Sequence, residues 1–109
     1  MGKLELISNH SLDMNKIRLK ENSWIAKIAA RKLKSKDVAI VLGKTIHLHK
    51  ISKEEFLDNK KWVKHEGCHI RQFENNGYVL FILKYLWESI RYGYHNNKYE
   101  KEARFAEED

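Results

Sequence analysis

The run "NSWIAKIAARKL" sets Ile25, Ile28, Ala29 and Leu33 on one side of a helix and Lys27, Arg31 and Lys34 on the other. That 3.6-residue period predicts an amphipathic helix capped by Asn22 or Ser23. The pattern then changes. "DVAIVLG" and "KTIHLHK" are short and β-branched and meet at Gly43 and Lys44, which predicts a hairpin. In the second segment Ile46 and Leu48 alternate with Thr45, His47 and His49. An edge strand with one packed and one wet face is expected.

Helical spacing resumes at "ISKEEF", where Ser52 and Glu55 form a capping box and Ile51 and Phe56 are spaced as its hydrophobic staple. A further helix is predicted from Asn59 or Lys60 to Asn75, with Asn76 or Gly77 as its left-handed cap. The next, from about Tyr78 to Tyr92, is apolar nearly all round. Lys84, Glu88 and Arg91 make a narrow polar stripe on it, so a mostly buried helix is expected. "GYHNN" then turns the chain into a last helical segment, "KYEKEARFAEE".

At 109 residues, with 42% hydrophobic and 33% charged positions, no repeat and no proline, the chain reads as a single globular domain over residues 1–109. Cys68 is the one cysteine, which excludes an internal disulfide. Burial as a small apolar residue is its expected role, with a fourth metal ligand or reactive thiol as alternatives. "MGKLELIS" has neither a long apolar stretch nor the hydroxyl residue of a myristoylation signal, and "YVLFILKYLW" is too short to span a bilayer. No membrane association and a cytoplasmic location are expected. The net charge of +6 is interleaved with acids and forms no basic tract, so nucleic acid is not the expected partner.

The candidate chemistry lies in "WVKHEGCHIRQF". His65 and His69 are four apart, so a helix stacks their imidazoles one turn apart on one face, where both can hold one metal ion. Glu66 is offset by about 100°, beside such an ion and suited to act as general base toward its water. Trp62 and Phe73 share that face, while Lys64 and Arg71 point away. His47 and His49 imitate a metal pair but read as polar strand positions. A third ligand is required, and "NKYEKEARFA" offers Glu100, its helix anchored by Tyr99, Ala103 and Phe105. Glu107, Glu108 and Asp109 read as a solvated acidic tail.

The pairing of "HEGCH" with "YEKEARFA" resembles the gluzincin metallopeptidases and the small bacterial zincin-like domains, including the ImmA/IrrE-type peptidases, over about Ala39 to Ala106. It also resembles the Glu-x-x-Ala core of prenyl-protein-type peptidases. "HIRQF" is similar to small proteins with a Gln, here Gln72, three residues after the second histidine. The resemblance implies an α+β minimal zincin-like domain, with a short antiparallel β-sheet packed on three to four helices that include the His-Glu-x-x-His helix. It implies Zn2+ on His65, His69 and Glu100, with Glu102 as the alternative third ligand, and hydrolysis of peptide bonds with Glu66 as base. Tyr94, His95 and Tyr99, lying just before or beside Glu100, are the candidates for stabilising the oxyanion. A peptide or protein substrate is expected to pair with strand 45–50. In one respect the chain departs: family members carry Asp four residues after the ligand Glu to orient a histidine, and here Arg104 stands there. Three classes follow: a zinc peptidase, a zincin-like domain that binds metal without cleaving, and a basic nucleic-acid-binding module.

Overall fold

The computed structural model describes residues 17–109; the stretch read for targeting signals lies outside them. The described chain runs β1 (Arg18–Lys20), α1 (Trp24–Leu33), β2 (Val38–Leu42), β3 (Thr45–His49), α2 (Lys53–Asp58), α3 (Lys60–Asn76), α4 (Tyr78–Tyr92) and α5 (Lys98–Ala106). This is an α+β fold, with five helices among the described residues where three to four were expected, because Asn59 breaks the stretch after Ser52 into two.

The hairpin forms as the sequence predicts, with Leu42 opposite Thr45 across the Gly43-Lys44 turn. Gly43 takes φ 65, a conformation costly for a side chain, and a Cβ there meets the Tyr78 ring at 3.1 Å. The sheet, however, is mixed and not antiparallel. β1 adds to β3 in parallel, Leu19 opposite Ile46, while β2 runs antiparallel to β3. The order β1-β3-β2 therefore corrects the expectation for 45–50: β3 is central, both its edges are occupied, and among the described residues it is β2 that has an unpaired edge. A three-residue strand such as β1 is too short to announce itself by alternation.

Nor is the second face of β3 wet. His47 is buried because α1 covers that face, and its Nδ1 lies 2.8 Å from Ser23 Oγ. Burial and the charge of Lys20 hold its pKa below the usual histidine value. Ser23 is also the N-cap of α1, accepting from the amide of Ala26. Helix and sheet approach through Ala26, Ala30 and Val38, whereas Ile28 and Leu33 stand about half exposed. Small side chains, and not the large aliphatics of the predicted face, allow this close contact.

The opposite face of the sheet meets α3. Val41, Ile46 and Leu48 pack with Phe56, Val63, Ile70, Phe73 and Phe81; full burial of a side chain of this size contributes about 1.5–3 kcal/mol. Ser52 closes the capping box of α2, its Oγ accepting from the Glu55 amide at 3.1 Å while Glu55 Oε1 accepts from the Ser52 amide at 3.2 Å. Asn59 ends α2 and caps α3, and Gly77, at φ 85, ends α3. α5 lies on α3 through Cys68, Ala103 and Ala106, so Cys68 is a buried small residue. Phe105, expected as an anchor, is 78% exposed; the alanines one turn apart take that role.

α4 has the predicted bounds and the opposite burial. Glu88 is buried, whereas Val79, Leu80, Leu83, Leu86, Trp87 and Ile90 are each half exposed or more. The Glu88 carboxylate accepts from the backbone amide of Lys98 at 3.1 Å, which makes it a link to α5 and not part of a wet stripe. Among the described residues no helix is long and apolar enough to cross a membrane.

Candidate metal centre

One turn of α3 and one turn of α5 build the site. His65 and His69 project from the same face of α3, ring centroids 5.0 Å apart, as the four-residue spacing requires. Asn97 fixes where α5 begins. It is fully buried, accepts from the Tyr99 amide at 2.8 Å, and donates from Nδ2 to Tyr85 O and Ser89 Oγ on α4. Glu100 thereby emerges in the first turn of α5, opposite the two imidazoles.

The contacts are short and convergent. His65 Nε2 lies 3.1 Å from Glu100 Oε1 and His69 Nε2 lies 3.1 Å from Glu100 Oε2, and one donor atom from each residue falls within 4.8 Å of the others. Ligands about 2.0–2.1 Å from a tetrahedral zinc are separated by roughly 3.3 Å; each imidazole meets a different oxygen of Glu100, and the three donors lie close enough for one ion to draw them together. Two imidazoles with one carboxylate are also a borderline-soft donor set of the kind zinc takes. The cluster fits a divalent ion with three protein ligands.

Partners behind the cluster fix the ring orientations. His65 Nδ1 is 2.7 Å from Glu107 Oε2, and His69 Nδ1 is 2.8 Å from Gln72 Oε1. Both rings thus turn Nε2 toward Glu100, where without a metal it donates to the carboxylate, and the hydrogen bond at Nδ1 holds each ring in the orientation from which a deprotonated Nε2 can ligate an ion. Gln72 is itself held, its Nε2 donating to Glu102 Oε1 at 2.8 Å and to Tyr99 O at 3.1 Å. Glu102 is therefore a support for Gln72 and not the third ligand. Arg104 donates to His95 O, and the carboxylate that meets His65 Nδ1 comes from Glu107, seven residues and two helical turns after Glu100. Glu107 does not belong to a solvated tail.

Electrostatics follow from burial and proximity. Burial opposes the charge on Glu100, but hydrogen bonds from His65 and His69 outweigh it and hold the carboxyl well below its usual range. Burial likewise disfavours a charged His65, yet Glu100, Glu66 and Glu107 raise it to about 9, and Glu100 and Glu66 raise His69. Glu66 is raised to about 7, chiefly by burial and against the pull of both histidines. Trp62 Nε1 donates to Glu66 Oε2 at 3.1 Å, which leaves Oε1 available. Burial and the nearby Glu102 push the Cys68 thiol up to about 12, the opposite of a reactive thiolate.

A cavity of about 390 Å3 opens onto the cluster; His65, Glu66, His69 and Glu100 close one end, and β2 runs along its side. Of the three residues considered for an oxyanion, Tyr94 lines this cavity, its hydroxyl kept protonated by burial and by the charges of Glu100 and Glu66. His95 is exposed on the following turn, and the Tyr99 ring packs against Phe81 at 4.9 Å. His47 and His49 form no part of the cluster. Tyr85 is the residue that sequence reasoning missed. Its hydroxyl donates to Glu100 Oε2 at 2.5 Å, and because α4 is apolar on nearly every side no sequence signal singled it out.

No protein-family model matches the chain, and neither a curated protein nor a solved structure matches it.

Proposed function

We propose that the chain is a zinc-dependent peptidase of zincin type. The observation that carries the reading is the arrangement of Glu66, a buried acid beside three convergent donors and at the end of a cavity. A site that merely braces the fold has no use for an ionisable group there, and a general base works best with a pKa near the operating pH. His65, His69 and Glu100 would hold zinc, which would supply Lewis acidity toward a water molecule and a carbonyl.

The residues divide the remaining work. Glu66 Oε1 takes the proton from the attacking water as the oxygen bonds to the carbonyl carbon, and gives it to the amine as the C–N bond breaks. Trp62 keeps the other oxygen occupied, so the carboxylate cannot swing away. The Tyr94 hydroxyl, protonated at neutral pH, donates toward the developing oxyanion. Tyr85 and Glu107 hold Glu100 and His65 in register. The free edge of β2, rather than β3, offers backbone groups to an extended peptide.

Glu66→Gln in the zinc-loaded protein separates hydrolysis from metal binding. Cleavage of a peptide library, followed by mass spectrometry, is expected to fall by about 10²–10⁴-fold with zinc content unchanged. Equal cleavage by the variant refutes the assignment. Absence of cleavage by a wild-type protein that holds zinc favours the reading of a metal-binding domain without hydrolytic activity.

A further inference from the structure

Away from its ligand end, the cavity is walled by apolar side chains: Leu33 from α1, Ile40 and Leu42 from β2, and Ile82 and Leu86 from α4. Lys32 is the one lysine or arginine of the lining among the described residues; against the apolar wall itself a charged group loses hydration that it does not recover, and an acidic one also meets Glu66 and Glu100. An aliphatic or aromatic side chain gains the full benefit of burial there.

The apolar surface does not stop at the mouth. Leu86 lines the cavity and is also half exposed, and Val79, Leu83 and Ile90 follow it on the same stripe of α4 at three- and four-residue spacing. Trp87 flanks them, 60% exposed. A contiguous apolar patch on a globular surface marks a place where something binds. Leu86 belongs to both the cavity lining and the exposed stripe, so a chain with one side chain in the cavity can rest its neighbours on α4.

We propose that the ligand of this site is an apolar polypeptide segment, one bulky aliphatic or aromatic side chain filling the cavity beside the metal cluster and its neighbours lying along α4. The proposal rests on the peptidase reading and names its substrate class.

A hydroxamate series on the zinc-loaded protein, read by calorimetry, tests it without relying on turnover. Acetohydroxamate reports the metal site alone; glycine, leucine, phenylalanine and aspartate hydroxamates add the side chain. Leucine and phenylalanine hydroxamates are expected to bind at least about tenfold tighter than glycine hydroxamate, and aspartate hydroxamate no tighter. Leu86→Gln, at a half-exposed position that tolerates a polar residue, is expected to shrink the leucine preference to a few-fold. Extending the leucine ligand by further apolar residues is expected to tighten it several-fold, a gain that Leu83→Glu or Trp87→Glu removes. If acetohydroxamate itself fails to bind, the metal reading falls and the proposal with it. If acetohydroxamate binds but the side chains make no difference, or extension brings no gain, the metal reading stands and this proposal is overturned.

Discussion

Replacing Glu107 with Ala tests whether the distal carboxylate controls the metal site. The Glu107 contact to His65 Nδ1 is 2.7 Å, and the two side chains are 28% and 14% exposed, so the hydrogen bond is short, charge-assisted and partly shielded from water. Bonds of this kind contribute about 1.5–3 kcal/mol. At about 1.4 kcal/mol per factor of ten, their loss weakens zinc by roughly 10- to 100-fold, the range found for supporting partners of ligating histidines. Without Glu107 the His65 ring is free to rotate and to adopt the tautomer that points an N–H at the metal. Competition against a chromophoric chelator at fixed pH gives the affinity directly. Glu107→Gln, which keeps an acceptor and loses the charge, is expected to fall between wild type and Glu107→Ala, while Glu108→Ala, at an exposed neighbour, leaves affinity unchanged. Wild-type affinity in a folded Glu107→Ala protein refutes the argument.

Three further outcomes follow from the same structure. In metal-free protein the His65 pKa of about 9 lies above its unfolded value, so its stabilisation is complete below pH 6.5 and is lost as pH rises toward 9. The raised Glu66 pKa of about 7 acts in the same direction, costing stability between pH 4.5 and 7. Thermal melts in chelator are therefore expected to fall between pH 6.5 and 9, above the range in which the lowered His47 works in the opposite direction, whereas the gain on adding zinc grows with pH because the ligands must shed protons; a metal-free protein that becomes more stable over that range contradicts this. Asn97→Ala strands several buried groups and is expected to cost about 2–4 kcal/mol in urea unfolding, and a cost below about 0.5 kcal/mol refutes its role in fixing α5. Cys68, buried and with its thiol raised to about 12, is expected to resist alkylation at neutral pH until the protein unfolds, and rapid native-state labelling refutes that.

What the sequence made legible were features carried by short-range spacing. The four-residue separation of His65 and His69, the Ser52 and Glu55 capping box and the Gly43 turn each follow from the geometry of one element, and Glu100 was offered by the pattern of the last helical segment. Features that depend on which faces meet were not legible. β1 is too short to show alternation, and its pairing with β3 is what moved the free edge to β2. α4 carries apolar residues on nearly every side, so its sequence could not say which side faces the core; the structure buries Phe81 and Glu88 and exposes the leucines. Glu107 is seven residues from Glu100, a same-face separation that the sequence did offer, but whether it reaches His65 depends on how α5 docks on α3 through Cys68, Ala103 and Ala106. Asn97 is similar: its side chain links two helices, and a local reading sees only an asparagine before a helix.

The central claim is that His65, His69 and Glu100 together hold one divalent ion. Zinc-edge X-ray absorption on protein loaded with one equivalent of the metal addresses it most directly. The account predicts a first shell of nitrogen and oxygen alone at about 2.0–2.2 Å with two imidazole rings behind it, and loss of that signature in Glu100→Ala. A sulfur shell at about 2.3 Å, or an unchanged spectrum in Glu100→Ala, contradicts it.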